Sequence, residues 1–501
     1  MDNFFKTVLT ARVYDVARRT PLDEAVNLSR ELGNQVFLKR EDLQPSFSFK
    51  VRGAYNRMVT LSEAEREPGV ICASAGNHAQ GVALAAQRLE IAATVVMPRT
   101  TPAIKVEAVQ RLGAQVILEG DSYSDAAEFC EKLAKETGKT FVHAFDDAQV
   151  IAGQGTVGHE LLQQCPEVDM VFVPVGGGGL IAGIAAFIKA VRPKTKIVGV
   201  QPQDSDAMTR SLQSGKREKL AEVGIFADGV AVKRVGALTL KLAKAFVDEM
   251  VIVTTDETSS AIKTIYEDTR AIVEPAGALA VAGLRKYVAS HPMRGQKLVA
   301  INSGANMNFG RLQFVAERTL TGDKKEALFA VTIPETPGAL AVFCRKVMAK
   351  RNITEFNYRL SDRRKAQIFV GVSIEKEKDR RAFQKKLAEQ GFAATDLTDN
   401  ELAKTHVRHM VGGRSPELEG EVLYRFEFPE RPKALTDFLA AMSENWNISL
   451  FHYRMHGGDF GRVLVGFEIP PSDKKEFRAF LTKIRYPFVE ETGNPAYRLF
   501  L

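Results

Sequence analysis

The stretch "MVFVPVGGGGLIAGIAAFIKAV", residues 170–191, contains the junction that decides the fold. Its opening residues, 170–175, are apolar and rich in valine, which is typical of a buried β-strand. Four glycines follow, and residues 179–191 then have the composition of an apolar helix. The apolar run ends at Lys189 and is too short to span a bilayer. A strand that passes through a turn into a helix is the repeating unit of an α/β fold with a mainly parallel sheet.

The same alternation of short β-branched runs and helical stretches extends to about residue 320. Predicted helices include 78–89 and 179–191. The predicted strands lie at 35–40, 69–74, 91–98, 114–120, 140–145, 170–175, 196–202, 251–255 and 297–302. Because one sheet with so many strands is uncommon, we expect two α/β subdomains with a cleft between them, together forming one domain over residues 1–320.

Beyond the polar stretch 318–326 the chain repeats itself. Residues 327–374 match residues 422–469 without a gap, with 15 identities over 48 positions. Each copy has the pattern strand, proline turn, amphipathic helix, strand, turn, strand. The sequence therefore predicts a duplicated α+β module, with one copy at 325–399 and the other at 420–492.

Bulk composition indicates a soluble globular protein with a length typical of about three domains. The 501 residues are 45% hydrophobic and 26% charged, and the net charge is +7. Basic residues are interspersed with acidic ones, so we expect no nucleic-acid partner. The four cysteines form no CxxC pair, which indicates neither a metal site nor a disulfide framework. The N-terminus has no apolar core of secretory length, so a cytoplasmic protein without membrane contact is expected.

The glycines of "PVGGGGL" (174–180) form a candidate anion site. Successive backbone N–H groups before a helix bind phosphate, and the helix dipole favours the negative charge. Neither the GK[ST] ending of a nucleotide loop nor the GxGxxG spacing is present, so a small phosphate ester is favoured. The alternative is a tight turn with no ligand.

Two further motifs follow predicted strands, at the edge where open α/β sheets bind ligands. In "SAGNHAQG" (74–81), Ser74, Asn77 and the free N–H groups are suited to an anion such as a carboxylate; an ordinary helix cap is the alternative. In "NSGANMN" (302–308), Ser303 can donate a hydrogen bond into the cleft, although a plain turn is the better explanation of this motif when it is taken alone.

Lys50 lies in "PSFSFKVRGAYN" (45–56), behind two phenylalanines. An amine in an apolar pocket loses hydration, which lowers its pKa and makes the neutral nucleophile accessible. A phosphate loop, an amine nucleophile and a carboxylate-sized anion site together indicate pyridoxal 5'-phosphate and an amino acid substrate.

Six motifs in chain order resemble those of the pyridoxal-phosphate serine/threonine dehydratases, which have the tryptophan-synthase-β fold (fold type II). They are "SFKVRGA" (48–54), "SAGNHAQGVA" (74–83), "GQGTVGHELL" (153–162), "VPVGGGGL" (173–180), "EPAGALA" (274–280) and "SGANMN" (303–308). The doubled tail resembles the two ACT-like regulatory domains of the family's isoleucine-regulated members. The resemblance implies a homotetrameric lyase of isoleucine biosynthesis that converts L-threonine, and in part L-serine, to a 2-oxo acid and ammonia. For threonine the product is 2-oxobutanoate; isoleucine inhibits, and valine opposes it.

The resemblance also implies roles for matching residues. Lys50 would bind the cofactor covalently and act as the catalytic base, Asn77 would contact the ring hydroxyl, and Ser303 would face the pyridine nitrogen. The phosphate would be held by Gly176, Gly177, Gly178, Gly179 and Leu180. The substrate carboxylate would be held by Ser74, Ala75, Gly76, Asn77 and His78.

Several details refine this expectation. The neutral hydroxyl of Ser303 favours elimination over transamination, and Ala75 stands where racemising relatives carry a serine. Phe47 replaces a small or polar residue of the relatives and is expected to narrow the pocket. The alternatives are a serine-preferring or other β-eliminating relative, and an amino-acid sensor with an inactive catalytic half. Effector contacts are expected first at Phe356, Tyr358, Phe451 and Tyr453, which are equally explained as core aromatics of the repeated module.

Overall fold

A computed structural model describes residues 2–99, 101, 103–120, 123–224, 226–348, 351–360, 364–400, 403–404, 407–410, 418, 420–429, 434–443, 446–454, 460–484 and 486–494. The chain divides into two units, residues 1–319 and 320–501. Each unit has its own core.

The strands of the first unit are, in chain order, β1 (Leu22–Glu24), β2 (Gln35–Arg40), β3 (Val70–Ala73), β4 (Ala93–Met97), β5 (Gln115–Leu118), β6 (Thr140–Phe141), β7 (Met170–Pro174), β8 (Lys196–Pro202), β9 (Glu249–Val253) and β10 (Lys297–Asn302). Its helices are α1 (Asp2–Leu9), α2 (Val26–Leu32), α3 (Lys50–Val59), α4 (Glu63–Arg66), α5 (Asn77–Leu89), α6 (Ala103–Gln110), α7 (Tyr123–Thr137), α8 (Ala148–Gln164), α9 (Gly179–Val191), α10 (Ala207–Ser214), α11 (Ala237–Phe246), α12 (Thr255–Thr269), α13 (Pro275–Ser290) and α14 (Arg311–Gly322).

Two sheets form the first unit. The larger has the order β1-β2-β10-β7-β8-β9, and the smaller has the order β5-β4-β3-β6. All neighbours are parallel except β1 and β2, which are antiparallel. Buried strands such as β3 and β4 are continuous apolar runs because helices cover both faces of a parallel sheet. The predicted pair of α/β subdomains is confirmed.

Strand ends differ from the prediction where side chains bind the backbone. The strand expected at 140–145 ends at Phe141, because Nδ1 of His143 accepts the N–H groups of Phe145 (3.1 Å) and Asp146 (2.8 Å) and turns the chain. The strand expected at 251–255 ends at Val253, because Thr254 caps α12. The three-residue strand β1 carries no periodic signal and was not predicted.

The second unit repeats one sequence of elements. Its first copy contains β11 (Glu326–Pro334), α15 (Ala339–Phe343), β12 (Ile353–Arg359), β13 (Lys365–Ser373), α16 (Glu377–Glu389) and β14 (Ala393–Asp396). Its second copy contains β15 (Glu421–Pro429), α17 (Ala434–Ala441), β16 (Asn447–Arg454), β17 (Phe460–Glu468), α18 (Lys474–Lys483) and β18 (Phe488–Glu490). Antiparallel pairing of β12 with β16 joins the copies into one eight-stranded sheet. Side chains of all four helices share one apolar core with this sheet.

A repeated bulge explains why both copies keep a glycine. The pairing register shifts between Ile353 and Glu355 in one copy and between Ile448 and Leu450 in the other. A Cβ added to Gly371 would lie 2.4 Å from Oγ1 of the bulged Thr354. Gly466 is crowded in the same way, since its Cβ would lie 2.7 Å from Ser449 Oγ. The bulged hydroxyl therefore occupies the space that a side chain at the glycine would need.

Among the described residues, no helix combines the length and apolar character needed to cross a membrane.

Candidate active site

Lys50 is brought to the carboxyl end of β10 by the segment that precedes it. Residues 47–49 lie against residues 303–305, with Ser48 paired to Gly304 in an isolated antiparallel bridge. Phe49 N donates to Ser303 O (3.3 Å), and Ala305 N donates to Phe47 O (2.9 Å). The structure thus brings together two motifs that are about 250 residues apart in the sequence.

A buried ion cluster anchors the helix that begins at Lys50. Arg52 is fully buried and pairs with Glu41 (2.7 Å) and Glu160 (2.7 Å), and Lys39 also pairs with Glu160 (2.6 Å). The two carboxylates hold the pKa of Arg52 above its usual range. Since removing one member would leave a buried charge unpaired, this cluster fixes the first turn of α3 firmly.

Lys50 is half-buried, and its amine is unpaired. It lies 5.8 Å from the centroid of the Phe49 ring, and within the described part of the chain it has no hydrogen-bond or ion-pair partner. Burial lowers the pKa of Lys50, while the negative charges of Glu274 and Asp228 oppose that shift. An amine in this position is available as a nucleophile or base.

Asn77, the first residue of α5, lies in a chain of side-chain hydrogen bonds. Its Nδ2 donates to Oε1 of Glu274 (2.6 Å), and its Oδ1 accepts from Nδ2 of Asn306 (2.7 Å). Nδ2 of Asn306 also donates to Ser46 O (2.8 Å). Lys50's own segment, Asn77 and the residues after β10 are therefore connected.

The helical turn Asp228–Val230 lies between the glycine loop and the chain of hydrogen bonds through Asn77. A Cβ on Gly229 would lie 3.4 Å from Glu274 Oε1, and a Cβ on Gly176 would lie 2.9 Å from Val230 Cα. Asp228 itself pairs with Lys105 of α6 (2.7 Å). Because α6 belongs to the smaller sheet's subdomain, this ion pair spans the cleft between the subdomains.

The glycine loop joins β7 to α9 in a form that requires glycine. Gly178 has φ +98°, a left-handed conformation that side chains disfavour. A Cβ on Gly177 would lie 2.3 Å from the Phe145 ring. Gly177 O accepts a hydrogen bond from Thr239 Oγ1 (2.7 Å), which ties the glycine loop to α11. The first N–H groups of α9 have no helical acceptor, so they are suited to binding an anion at the helix N-terminus.

The other predicted site residues occupy the surrounding loops. Ser303 is buried and its hydroxyl donates to Ala276 O (3.3 Å). Ser74 Oγ accepts from Gly76 N (3.2 Å), and Ser74, Ala75 and Gly76 are partly exposed. His78 is buried with Nε2 2.9 Å from Val142 O, and burial lowers its pKa to about 3. His78 is therefore neutral and donates Nε2–H to that carbonyl.

Phe47, which was expected to narrow the pocket, lies at the protein surface, and its effect on the pocket stays a prediction. Its side chain is 57% exposed and its backbone is left-handed, with φ +53°. This conformation directs its carbonyl to Ala305 N while the ring remains at the surface. The backbone of Phe47 therefore helps to hold the segment before Lys50 against the residues that follow β10.

Three further residues lie in the site although the sequence alone did not predict a role for them: Glu274, Asn306 and Asp228. Glu274 and Asn306 lie inside two of the quoted motifs, "EPAGALA" and "SGANMN". The signal that could have found Glu274 is a carboxylate at the start of an otherwise apolar helix. Asp228 carries no such signal.

The four candidate effector residues lie on the central strands of the second unit. Phe356 is opposite Tyr453, and Tyr358 is opposite Phe451. The Phe356 and Phe451 rings are buried and 5.4 Å apart at 82°. Tyr358 donates its hydroxyl to Glu335 Oε2 (2.5 Å), and burial together with this bond raises its pKa. These contacts are those of core aromatics, and an effector role stays a prediction.

The site fits a phosphorylated aldehyde. The unpaired amine of Lys50 is suited to covalent attachment, and the free N–H groups before α9 are suited to the phosphate. Asn77 uses one amide N–H for Glu274 and keeps its second for a ligand oxygen.

Comparison with known proteins agrees with this geometry. Residues 13–304 match the family described as pyridoxal-phosphate dependent enzymes, and residues 317–407 and 412–501 match the C-terminal regulatory domain of threonine dehydratase. The biosynthetic L-threonine dehydratase of Burkholderia multivorans is 54% identical over 503 residues, covering 100% of this chain and 99% of that protein. The structure of processed threonine deaminase isoform 2 from Solanum lycopersicum is 48% identical, with a TM-score of 0.63, over 63% of this chain and 87% of that one. Maize serine racemase is 33% identical, with a TM-score of 0.59, over 64% of this chain and 97% of that one.

Fold and family match define a pyridoxal-phosphate-dependent enzyme of fold type II, and pyridoxal 5'-phosphate is its cofactor. More narrowly, the chain belongs to the threonine dehydratase family of lyases, with the family's regulatory region present twice at its C-terminal end.

Proposed function

We propose that this enzyme deaminates L-threonine to 2-oxobutanoate and ammonia, as the first step of isoleucine biosynthesis in the cytoplasm. The observation that carries the proposal is the unpaired amine of the half-buried Lys50, whose pKa burial lowers, in the same site as a glycine loop that opens a helix. The identity of 54% to a biosynthetic threonine dehydratase supports the choice of substrate. L-serine is the expected second substrate.

The chain's own residues supply binding and proton transfer. The N–H groups of residues 176–180 would hold the phosphate, Asn77 would hold the ring oxygen, and residues 74–78 would hold the substrate carboxylate. When bound, the cofactor supplies an electron sink at the substrate Cα. Lys50 would remove the α-proton as the Cα–H bond breaks, and the Cβ–O bond would break as the Cα=Cβ bond forms. The departing hydroxide and one proton, equal in number to the proton taken from Cα, would leave as water. The resulting enamine tautomerises and is hydrolysed to the 2-oxo acid and ammonia.

Ser303 and Ala75 favour elimination over related reactions. A hydroxyl beside the pyridine nitrogen, unlike a carboxylate, does not hold that nitrogen protonated, so transamination is disfavoured. Ala75 has no ionisable group, so the second proton donor that racemisation needs is absent from that position. Maize serine racemase shares the fold at 33% identity, which makes this residue a useful point of contrast.

We further propose that residues 1–320 are the catalytic domain, and that 325–399 and 420–492 are ACT-like regulatory domains. Isoleucine would bind the regulatory domains and inhibit, and valine would oppose it. Phe356, Tyr358, Phe451 and Tyr453 are the first candidates for contacts with these effectors. The assembly we propose is a homotetramer.

The test is a coupled 2-oxo acid assay on the cofactor-loaded full chain with threonine and serine. We expect kcat/KM for threonine to equal or exceed that for serine. A clear preference for serine would favour a serine dehydratase, and a colourless protein without activity would favour an amino-acid sensor.

A further inference from the structure

Glu274 immediately precedes α13 and has no part in the function proposed above. Its side chain is almost fully buried, at 3% exposure. Oε1 accepts one hydrogen bond, from Asn77 Nδ2 at 2.6 Å, and within the described residues Oε2 has no donor. Oε2 is not among the fully buried unpartnered atoms, so this oxygen keeps some access to the open space of the site.

The hydrogen-bond chain through Asn77 runs in one direction only. Ser46 O can only accept, so it fixes the amide nitrogen of Asn306 on its side. The same nitrogen donates to Asn77 Oδ1, which leaves Asn77 Nδ2 to donate to Glu274. Glu274 is thus the terminal acceptor that holds the Asn77 amide in this orientation. One amide N–H of Asn77 remains for the cofactor.

Charged groups of both signs surround Glu274. Lys50 is the first residue of α3, and Lys105 lies on α6. Asp228 is the first residue of the helical turn Asp228–Val230, which contains Gly229. Burial and the negative charge of Asp228 raise the pKa of Glu274, and the Asn77 hydrogen bond, Lys105 and Lys50 lower it, so that the net pKa is about 7. The charge of Glu274 therefore changes near neutral pH.

We propose that Glu274 is a positioning residue, which orients the Asn77 amide toward the cofactor's ring oxygen and whose ionisation alters the electronic state of the bound cofactor. The inference rests on the role proposed for Asn77. An ionised carboxylate strengthens the Asn77 hydrogen bond and adds negative charge beside the ring. A protonated one does neither.

The experiment is a pH titration of the cofactor's absorbance in the holoenzyme, without substrate, from pH 5.5 to 9. We expect wild type to show a transition with a midpoint near neutral pH, and Glu274→Gln to lose it. Asp228→Asn is the matched control, because it removes the other nearby acid and retains Glu274. Removing that negative charge lowers the pKa of Glu274, so the transition should remain and move to lower pH.

Cofactor affinity and kinetics give independent readouts. Glu274→Ala should weaken pyridoxal phosphate binding roughly tenfold, the size of one hydrogen bond to a charged group. Glu274→Gln should lower kcat for threonine by a similar factor and change KM by less, because the Asn77 amide N–H that Glu274 orients is the one proposed to face the cofactor's ring oxygen.

Retention of the wild-type transition by folded Glu274→Gln would overturn the proposal, as would its absence from wild type. If Glu274→Gln does not fold, an unchanged midpoint in Asp228→Asn would overturn it and a lowered midpoint would support it. Failure of the proposed function is distinguishable, because wild type would then bind cofactor without deaminating threonine while the titration still reported on Glu274.

Discussion

At Lys50, burial and charge act in opposite directions on one amine. Desolvation lowers its pKa, and Glu274 and Asp228 limit the shift. Lys50→Ala removes the base and the covalent attachment, so we expect loss of threonine turnover by at least about a thousandfold. The fold should be unchanged, as judged by circular dichroism and Tm. Lys132→Ala, an exposed lysine on α7, is the matched control and should turn over threonine like wild type. Turnover near wild type in Lys50→Ala would remove Lys50 as the base.

Glu274 gives a stability prediction for the cofactor-free enzyme. Its pKa is raised from 4.5 to about 7, so the folded state disfavours the ionised form. The contribution of protonated Glu274 to the free energy of unfolding is fully present below pH 4.5 and is lost as the pH rises through about 7. Glu274→Gln should therefore gain stability relative to wild type between pH 5 and 8, by up to about 3 kcal/mol. Urea unfolding at several pH values measures this difference, and a difference independent of pH would contradict the shift.

Among the secondary-structure elements, the junction of β7 with α9 is the most sensitive to substitution. A Cβ on Gly178 would be in the left-handed region and 2.5 Å from Met208 Cε. The backbone strain alone costs roughly 1–2 kcal/mol. We expect Gly178→Ala to weaken cofactor binding at least tenfold, measured by fluorescence titration of the cofactor-free enzyme.

Gly113 provides the control for that prediction. It has φ +86°, but a Cβ there would meet nothing within 4 Å. Gly113→Ala should therefore lower stability and leave cofactor affinity unchanged. Equal affinities in the two variants would show that Gly178 does not shape the phosphate site.

The elements that sequence could predict are those defined by local chemistry. Valine-rich runs followed by glycine, as at 170–179, identify a strand and the start of a helix without any tertiary information. The strand predicted at 140–145 was too long, because the hydrogen bonds of His143 that end it form only in the fold. The bond from Asn77 to Glu274 joins residues 197 apart. No spacing rule relates two such positions, so a partner of this kind cannot be read from one sequence.

For the whole molecule, the division at residue 319 suggests separable functions. The two units have separate cores, and the repeat lies entirely in the second. Deleting residues 327–501 should leave an enzyme that deaminates threonine but is insensitive to isoleucine. Initial rates with and without isoleucine measure this. Inhibition that persists in the truncated enzyme would contradict the regulatory assignment.

The duplication within the second unit was predictable from 15 identities, whereas the joining of its copies was not. Strand β12 pairs with β16 because an unpaired edge of one copy meets an unpaired edge of the other. Any two such edges can form backbone hydrogen bonds, so the sequence does not indicate which edges will pair. Once paired, Phe356 and Phe451 become mutual neighbours in one core. Their repetition in the sequence is therefore explained by packing, independently of any ligand.

We propose that the cofactor-loaded full chain deaminates threonine under the control of isoleucine. The direct measurement is the initial rate of 2-oxobutanoate formation from threonine, with and without isoleucine. We predict steady formation of 2-oxobutanoate, reduced when isoleucine is added and restored by valine. A yellow, folded enzyme that forms no 2-oxobutanoate from threonine would contradict the claim.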